Sequence, residues 1–180
     1  MGVIEKNITF SLEKSWDIFK KEYATLILAT LITIIGSLLI VTIAPLLFGL
    51  YYVTIQLFQG NKVKPFDVMK GFNYFWKSWG IIILAILSII IGLILLIIPG
   101  LFLIVFFQYV VVISLIEKKG VIDSLKRSYA IGRENVGFSI ILMIITLLIN
   151  GVGGITYVCT LFTIPFTTLL IIGAYTKISK

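Results

Sequence analysis

Residues 80–116 read "GIIILAILSIIIGLILLIIPGLFLIVFFQYVVVISLI". No Asp, Glu, Lys or Arg interrupts them. Two further blocks, Ala24–Phe58 and Val136–Thr176, are equally free of charge. Even the 35 residues of the first block would make a helix about 52 Å long at 1.5 Å per residue. The hydrocarbon core of a bilayer is only about 30 Å thick. One crossing leaves each block too long, and two crossings fit it slightly tightly. The quoted block carries its own hinge at Pro99-Gly100, because proline removes a backbone donor and breaks or kinks a helix. Gly36-Ser37 with Pro45 supplies the corresponding signal in the first block. "NGVGG" at 150–154 with Pro165 supplies it in the third.

The bulk composition agrees. Of 180 residues, 59% are hydrophobic and 13% charged, and mean hydropathy is +1.13. Soluble domains run about 45–50% apolar, so the class is an integral membrane protein. No cleavable signal pattern opens the chain, since its N-terminal stretch is long and polar. Cys159 is the only cysteine and reads as an ordinary small apolar residue. With no histidine in the sequence, neither a His base nor a His metal site can be built. No cofactor and no metal are expected.

Charge position sets the topology. The 15 Lys and Arg fall in four clusters. Lys6, Lys14, Lys20 and Lys21 precede the first block. Lys62, Lys64, Lys70 and Lys77 precede the second, and Lys118, Lys119, Lys126, Arg127 and Arg133 the third. Lys177 and Lys180 follow it. Single crossings would scatter these clusters over both faces, against the positive-inside bias. Hairpins gather all of them on one face. The expected fold is therefore all-α and polytopic. Six membrane-inserted helices form three hairpins, with amphipathic interfacial helices and both termini on the cytoplasmic side of the cell membrane. The second helix of the first block is expected to start before Pro45 and kink there. Counted from Pro45 it would be too short to cross, and lipid leaves a frayed helix end unsatisfied.

The polar segments resemble one another. "FSLEKSWDIFKKEYATLIL" from Phe10 aligns with "FDVMKGFNYFWKSWGIIIL" from Phe66. Lys14 then meets Lys70, Lys21 meets Lys77 and Tyr23 meets Trp79. The same step again reaches "IDSLKRSYAIGRENVGFSI" from Ile122, where Lys126 and Arg133 occupy the two basic positions. Apolar composition alone would not align lysines. One membrane domain, 1–180, thus reads as three units, 1–60, 61–117 and 118–180.

Each unit opens on a basic amphipathic helix. Leu12, Trp16, Phe19 and Tyr23 form the apolar stripe of the first. Val68, Phe72, Phe75 and Trp79 form that of the second. All three tryptophans, Trp16, Trp76 and Trp79, lie in these segments, and amphipathic rings favour the headgroup level. An interfacial role in contact with membrane lipids, including anionic ones, is expected of Lys14, Trp16, Lys21, Lys70, Trp76, Lys77, Trp79, Lys126, Arg127 and Arg133. The plainer reading is that the cations only fix topology. Nucleic-acid binding is not expected, because the basic residues are divided among short helices without a recognised motif.

Catalytic chemistry finds no constellation. The eight acids lie in the polar segments, mostly among lysines. Asp67 and Asp123 fall in predicted first helical turns, where a carboxylate suits the dipole. Glu117 reads as a boundary residue beside Lys118. The spans hold no ionisable group except Tyr and Cys159, which counts against proton-coupled transport. Gln56, Gln108 and Asn150 remain as intramembrane polar contacts, either bonding across helices or lining a cavity.

The stretch from Pro99 to Ile141 resembles the membrane domain associated with some glycerophosphodiester phosphodiesterases, and related uncharacterised prokaryotic membrane families. The resemblance rests on Pro99-Gly100, Glu117-Lys118, the "SLKRSY" of Ser124–Tyr129 and the Arg133–Asn135 triplet. It implies a membrane domain and transfers no activity, because the enzyme's histidines are missing here. The first functional expectation is a non-enzymatic scaffold, lipid-interacting or accessory protein. A permease-like protein for an apolar or lipid-like solute and a membrane-shaping hairpin protein stay open beside it. A protein partner or homo-oligomer is left undecided.

Overall fold

The computed structural model describes residues 2–154 and 157–179, and these are helical throughout with short connections. The order is α1 (Gly2–Gly36), α2 (Ile40–Phe58), a 3-10 helix (Pro65–Tyr74), α3 (Phe75–Leu95), α4 (Ile97–Phe107), α5 (Val110–Ile116), α6 (Val121–Glu134), α7 (Val136–Gly154) and α8 (Tyr157–Ile178). Among the described residues, five stretches are long and apolar enough to cross a membrane. They are Ile40–Phe58, Pro65–Leu95, Ile97–Ile116, Val136–Gly154 and Cys159–Ile178. This is the build of a membrane protein.

The first basic segment and the first apolar stretch form one helix, α1. It is kinked at Glu22 (φ −121°, ψ 24°), where charged sequence gives way to apolar sequence. α1 ends at Gly36, and Thr42 Oγ1 donates to the Gly36 and Leu39 carbonyls at 2.5 and 2.6 Å. The bond to Gly36 answers one of the orphan acceptors at the end of α1. α2 starts at Ile40, ahead of Pro45, as the sequence requires. Its 19 residues reach about 28 Å. Proline 45 lacks an N–H, so it leaves the Val41 carbonyl four residues back without a helical donor. Trp79 Nε1 donates to that oxygen at 3.0 Å.

The turn between α3 and α4 falls at Leu96, which is extended (φ −157°, ψ 127°). Pro99-Gly100 lies just after it, in the first turn of α4, rather than in the bend itself. A proline costs nothing there, because first-turn N–H groups have no intrahelical acceptor. Gly100 lets the two helices close up: a Cβ on it would strike the Leu93 backbone and side chain at 2.6 Å.

Burial separates the helices into two kinds. In the spans Ile40–Phe58, Ile97–Ile116 and Cys159–Ile178, 56%, 44% and 50% of residues are buried, against 17% and 22% in those ending at Leu95 and Gly154. The second helix of each predicted hairpin therefore builds most of the core, to which α7 adds Phe138 and Leu142 and α3 adds Ile81, while most of α3 and α7 faces outward. Leu50, Val53, Tyr109, Ile113, Leu169 and Ile172 centre that core, joined by Phe19 and Leu26 of α1. Exposed Ile83, Ile90, Leu95, Ile144 and Leu148 give α3 and α7 apolar outer faces, which suit hydrocarbon and not water.

The basic segments seat on the core helices by one rule. The 3-10 helix packs on α2, α6 packs on α4 and α5, and the first half of α1 packs on α8. Small residues mark each seat. A Cβ on Gly49 would collide with Val68 O, and one on Gly71 with Pro45 O. Gly132 lies against the Phe106 backbone, and Gly173 against Ser11 Cα at 3.4 Å from its Cβ position. The second and third segments thus lean on the core helix that precedes them in the chain, and the first leans on α8.

Candidate functional site

Of the stripe expected in the first segment, Phe19 is buried against the protein and Trp16 and Tyr23 stay exposed. The segment's buried positions are Ser11, Ser15 and Phe19, because the partner is a close-packed helix, α8, and small residues admit it. Trp16 is left 52% exposed, stacked on Phe19 at 6.1 Å and edge-on to Phe166 at 6.0 Å. Lys14 Nζ sits 3.8 Å over the Phe58 ring, and Lys177 Nζ 3.8 Å over the Phe10 ring. Aromatic faces attract cations in such geometry. Burial lowers the Lys14 pKa, and the Lys177 charge lowers it further. Neither ammonium enters an ion pair with the described residues. Lys21 is exposed at the kink, whereas Lys20 pairs with Asp17 at 3.3 Å.

The second segment departs further from the α-helix that its spacing suggested. Residues 65–74 wind as a 3-10 helix, so neighbours along a face recur every three residues. Val68 and Gly71 face α2, and Phe72 turns outward. Asp67 closes the start, accepting the Lys64 backbone N–H at 2.8 Å and pairing with Lys70 at 2.9 Å. Trp76 is 86% exposed. Lys77 reaches inward and donates to the Ser114 carbonyl at 2.9 Å. It props the end of α5 and does not present its charge outward, and Trp79 is engaged with Val41 as described. Of the second group, Lys70 and Trp76 are the outward-facing members.

The third segment is organised by Glu117. Tyr175 Oη donates to Glu117 Oε1 at 2.5 Å, Lys119 Nζ lies 2.6 Å from Oε2, and Arg127 Nε lies 3.6 Å from Oε1. Burial opposes the carboxylate. Hydrogen bonds from Lys119 and Tyr175, with the charges of Lys119 and Arg127, outweigh it and hold the Glu117 pKa below the usual range. Glu117 is thus more than a boundary marker, since it joins α5, α6 and α8. Lys118 takes a left-handed conformation (φ 54°) in the turn that makes this possible. Arg127 is committed to this cluster, while Lys126 and Arg133 are exposed and enter no ion pair with the described residues.

The polar side chains proposed within the membrane are kept apart, and each has a partner. Gln56 Oε1 accepts from Asn61 Nδ2 at 2.8 Å. Gln108 Nε2 donates to the Ser139 carbonyl at 3.0 Å. Asn150 Nδ2 donates to Thr167 Oγ1 at 3.3 Å. Tyr109 Oη also meets Ser139 Oγ at 3.0 Å. Gln108 and Tyr109 together clamp α7 to the α4–α5 junction.

Sequence reasoning missed the serines. "SLEKS" at 11–15 and "SLKRS" at 124–128 each bury both serines, and Ser128 Oγ donates to the Phe106 carbonyl at 2.6 Å. The two pentads are 113 residues apart, one more than the spacing that aligns Lys14 with Lys126. Matching on cations alone hid them. A family model described as a domain of unknown function (DUF7847) matches residues 2–178. The chain belongs to that family. No curated protein and no solved structure matches it. In this DUF7847 chain, then, the functional reading rests on the outward cations and aromatics and on the clefts beside them.

Proposed function

We propose that this protein is a non-enzymatic integral membrane protein that engages membrane lipids through its basic segments. In this reading α1 joins the five long apolar helices to make six inserted helices. They form three hairpins of a threefold-repeated domain in the cell membrane, with both termini on the cytoplasmic side. The observation that carries it is that exposed cations and bare aromatics share the basic segments. Trp16 and Trp76 stand half or more exposed on the segments that carry Lys14 and Lys70. An aromatic ring that exposed is costly in water and at home among headgroups. Each basic residue at an anionic surface is worth about 1 kcal/mol. The resemblance of residues 99–141 to phosphodiesterase-associated membrane domains fits a supporting, non-catalytic role. The satisfied, separated Gln56, Gln108 and Asn150 offer a solute path no obvious lining.

Two measurements test this. Impermeant labelling of Lys70→Cys and Lys126→Cys in intact cells, each in a Cys159→Ser background, should find both protected, and labelling of one alone would break the topology. Lipid analysis of the detergent-purified protein should find anionic phospholipid enriched over its share of the membrane. Recovery in the membrane's own proportions would leave the cations as topology markers only.

A further inference from the structure

A cleft lies between α4 and α6. It has a volume of about 390 Å³ and is walled by Ile98, Pro99, Phe102, Phe106 and Tyr129, with Arg133 at its edge. A second cleft of about 220 Å³ adjoins it, lined by Leu101, Val105 and Ile140. Ile98 and Phe102 belong to both, so a single aromatic ring and a single aliphatic side chain divide the two.

The walls are fixed. Phe102, Phe106 and Tyr129 form a ladder, with ring centroids 5.6 and 5.5 Å apart. Ser128 bonds the Phe106 carbonyl, and Gly132 seats α6 directly on the Phe106 backbone. That seat places Tyr129 and Arg133, one residue on from Gly132, over the cleft. Arg133 is exposed and enters no ion pair with the described residues. Its guanidinium is a five-donor fork suited to a phosphate.

From this geometry we infer that the paired clefts hold one anionic, two-chain phospholipid, its phosphate on Arg133 and one acyl chain in each cleft. The inference rests on the lipid-interacting reading and narrows it to a site. Charge complementarity selects an anionic head, since among the described residues lining the clefts the one charge is that of Arg133. The two apolar clefts on either side of Phe102 select two chains over one. Neither cleft offers the convergent polar groups that a soluble ligand needs.

The test is native mass spectrometry of the full-length protein in detergent, titrated with phosphatidylglycerol or phosphatidylcholine. The wild type should retain one phosphatidylglycerol in preference to phosphatidylcholine and to lysophosphatidylglycerol. Arg133→Gln should lose about fivefold in that preference, the worth of one basic residue, and Arg133→Lys should keep most of it. Lys62→Gln, in the connection before the 3-10 helix and outside both clefts, should change nothing. Equal losses for Arg133→Gln and Lys62→Gln would mean that only net charge counts, and the site would be refuted. Displacement of the retained lipid by inorganic phosphate at millimolar concentration would refute it too. A wild type with no anionic preference at all would sink the broader lipid reading. A preference untouched by Arg133→Gln would sink the site alone.

Discussion

Trp79 donates its indole N–H to the carbonyl of Val41, the oxygen that Pro45 deprives of its helical donor. Two sequence features that look unrelated, a proline in one helix and a tryptophan at the start of another, are thus one device. In an apolar setting an unmet carbonyl costs far more than in water. Trp79→Phe should therefore lower thermal stability in detergent by about 1–3 kcal/mol. Pairing it with Pro45→Ala, which restores a helical donor for Val41, should recover most of that loss. A double variant no more stable than Trp79→Phe alone would show that the bond does not serve this carbonyl.

Tyr175 and Glu117 tie α8 to the end of α5. A hydrogen bond to a charged group is worth about 1.5–3 kcal/mol. Tyr175→Phe should cost about that much in chemical unfolding of the solubilised protein. Arg127→Gln, whose partner lies at 3.6 Å, should cost less.

The same carboxylate sets an acid limit. The Glu117 pKa is depressed on folding from its ordinary 4.5, so the unfolded chain holds that proton more tightly. The associated stability is fully present above pH 4.5 and is lost as pH falls through the lower folded value. Melting temperature should be flat in this contribution at neutral pH and decline in acid. In Glu117→Gln the decline should be shallower. Parallel curves for the two proteins would remove Glu117 as the titrating group.

Gly49 and Gly71 meet backbone to backbone between α2 and the 3-10 helix. No side-chain rotation can relieve a methyl group there, so Gly71→Ala should destabilise by about 1–3 kcal/mol or more. Gly151→Ala, where a Cβ meets open space, is the control and should be neutral or slightly stabilising. Limited proteolysis between Gln59 and Lys64 would report the loosened segment. Equal cleavage of both variants would contradict the close seat.

The uncharged blocks were legible because a run without charges is a local feature, but the bend in the second block falls at Leu96, three residues before the Pro99-Gly100 that signalled it. Pro45 inside α2 was read correctly. The faces of the basic segments were not. Periodicity places Trp16 and Phe72 on an apolar stripe, but the partner of each segment is a helix from another unit. The close-packed helices α8 and α2 select Ser11, Ser15 and Gly71, residues whose merit is smallness and which no hydrophobic count rewards. Lys77 was assigned by its charge, whereas its position beside Ser114 depends on the α3–α5 packing, which a single segment cannot reveal. The clefts around Phe102 depend on the same crossings and left no mark in the sequence beyond an aromatic-rich run.

The cyclic seating of the segments has a consequence for biogenesis. The ribosome makes Ser11 early and Gly173 some hundred and sixty residues later, yet the two are neighbours. α1 can find its berth only once α8 has been made and placed. Until then α1 lacks that partner, and the arrival of α8 acts as the clasp that joins the two ends of the packing order.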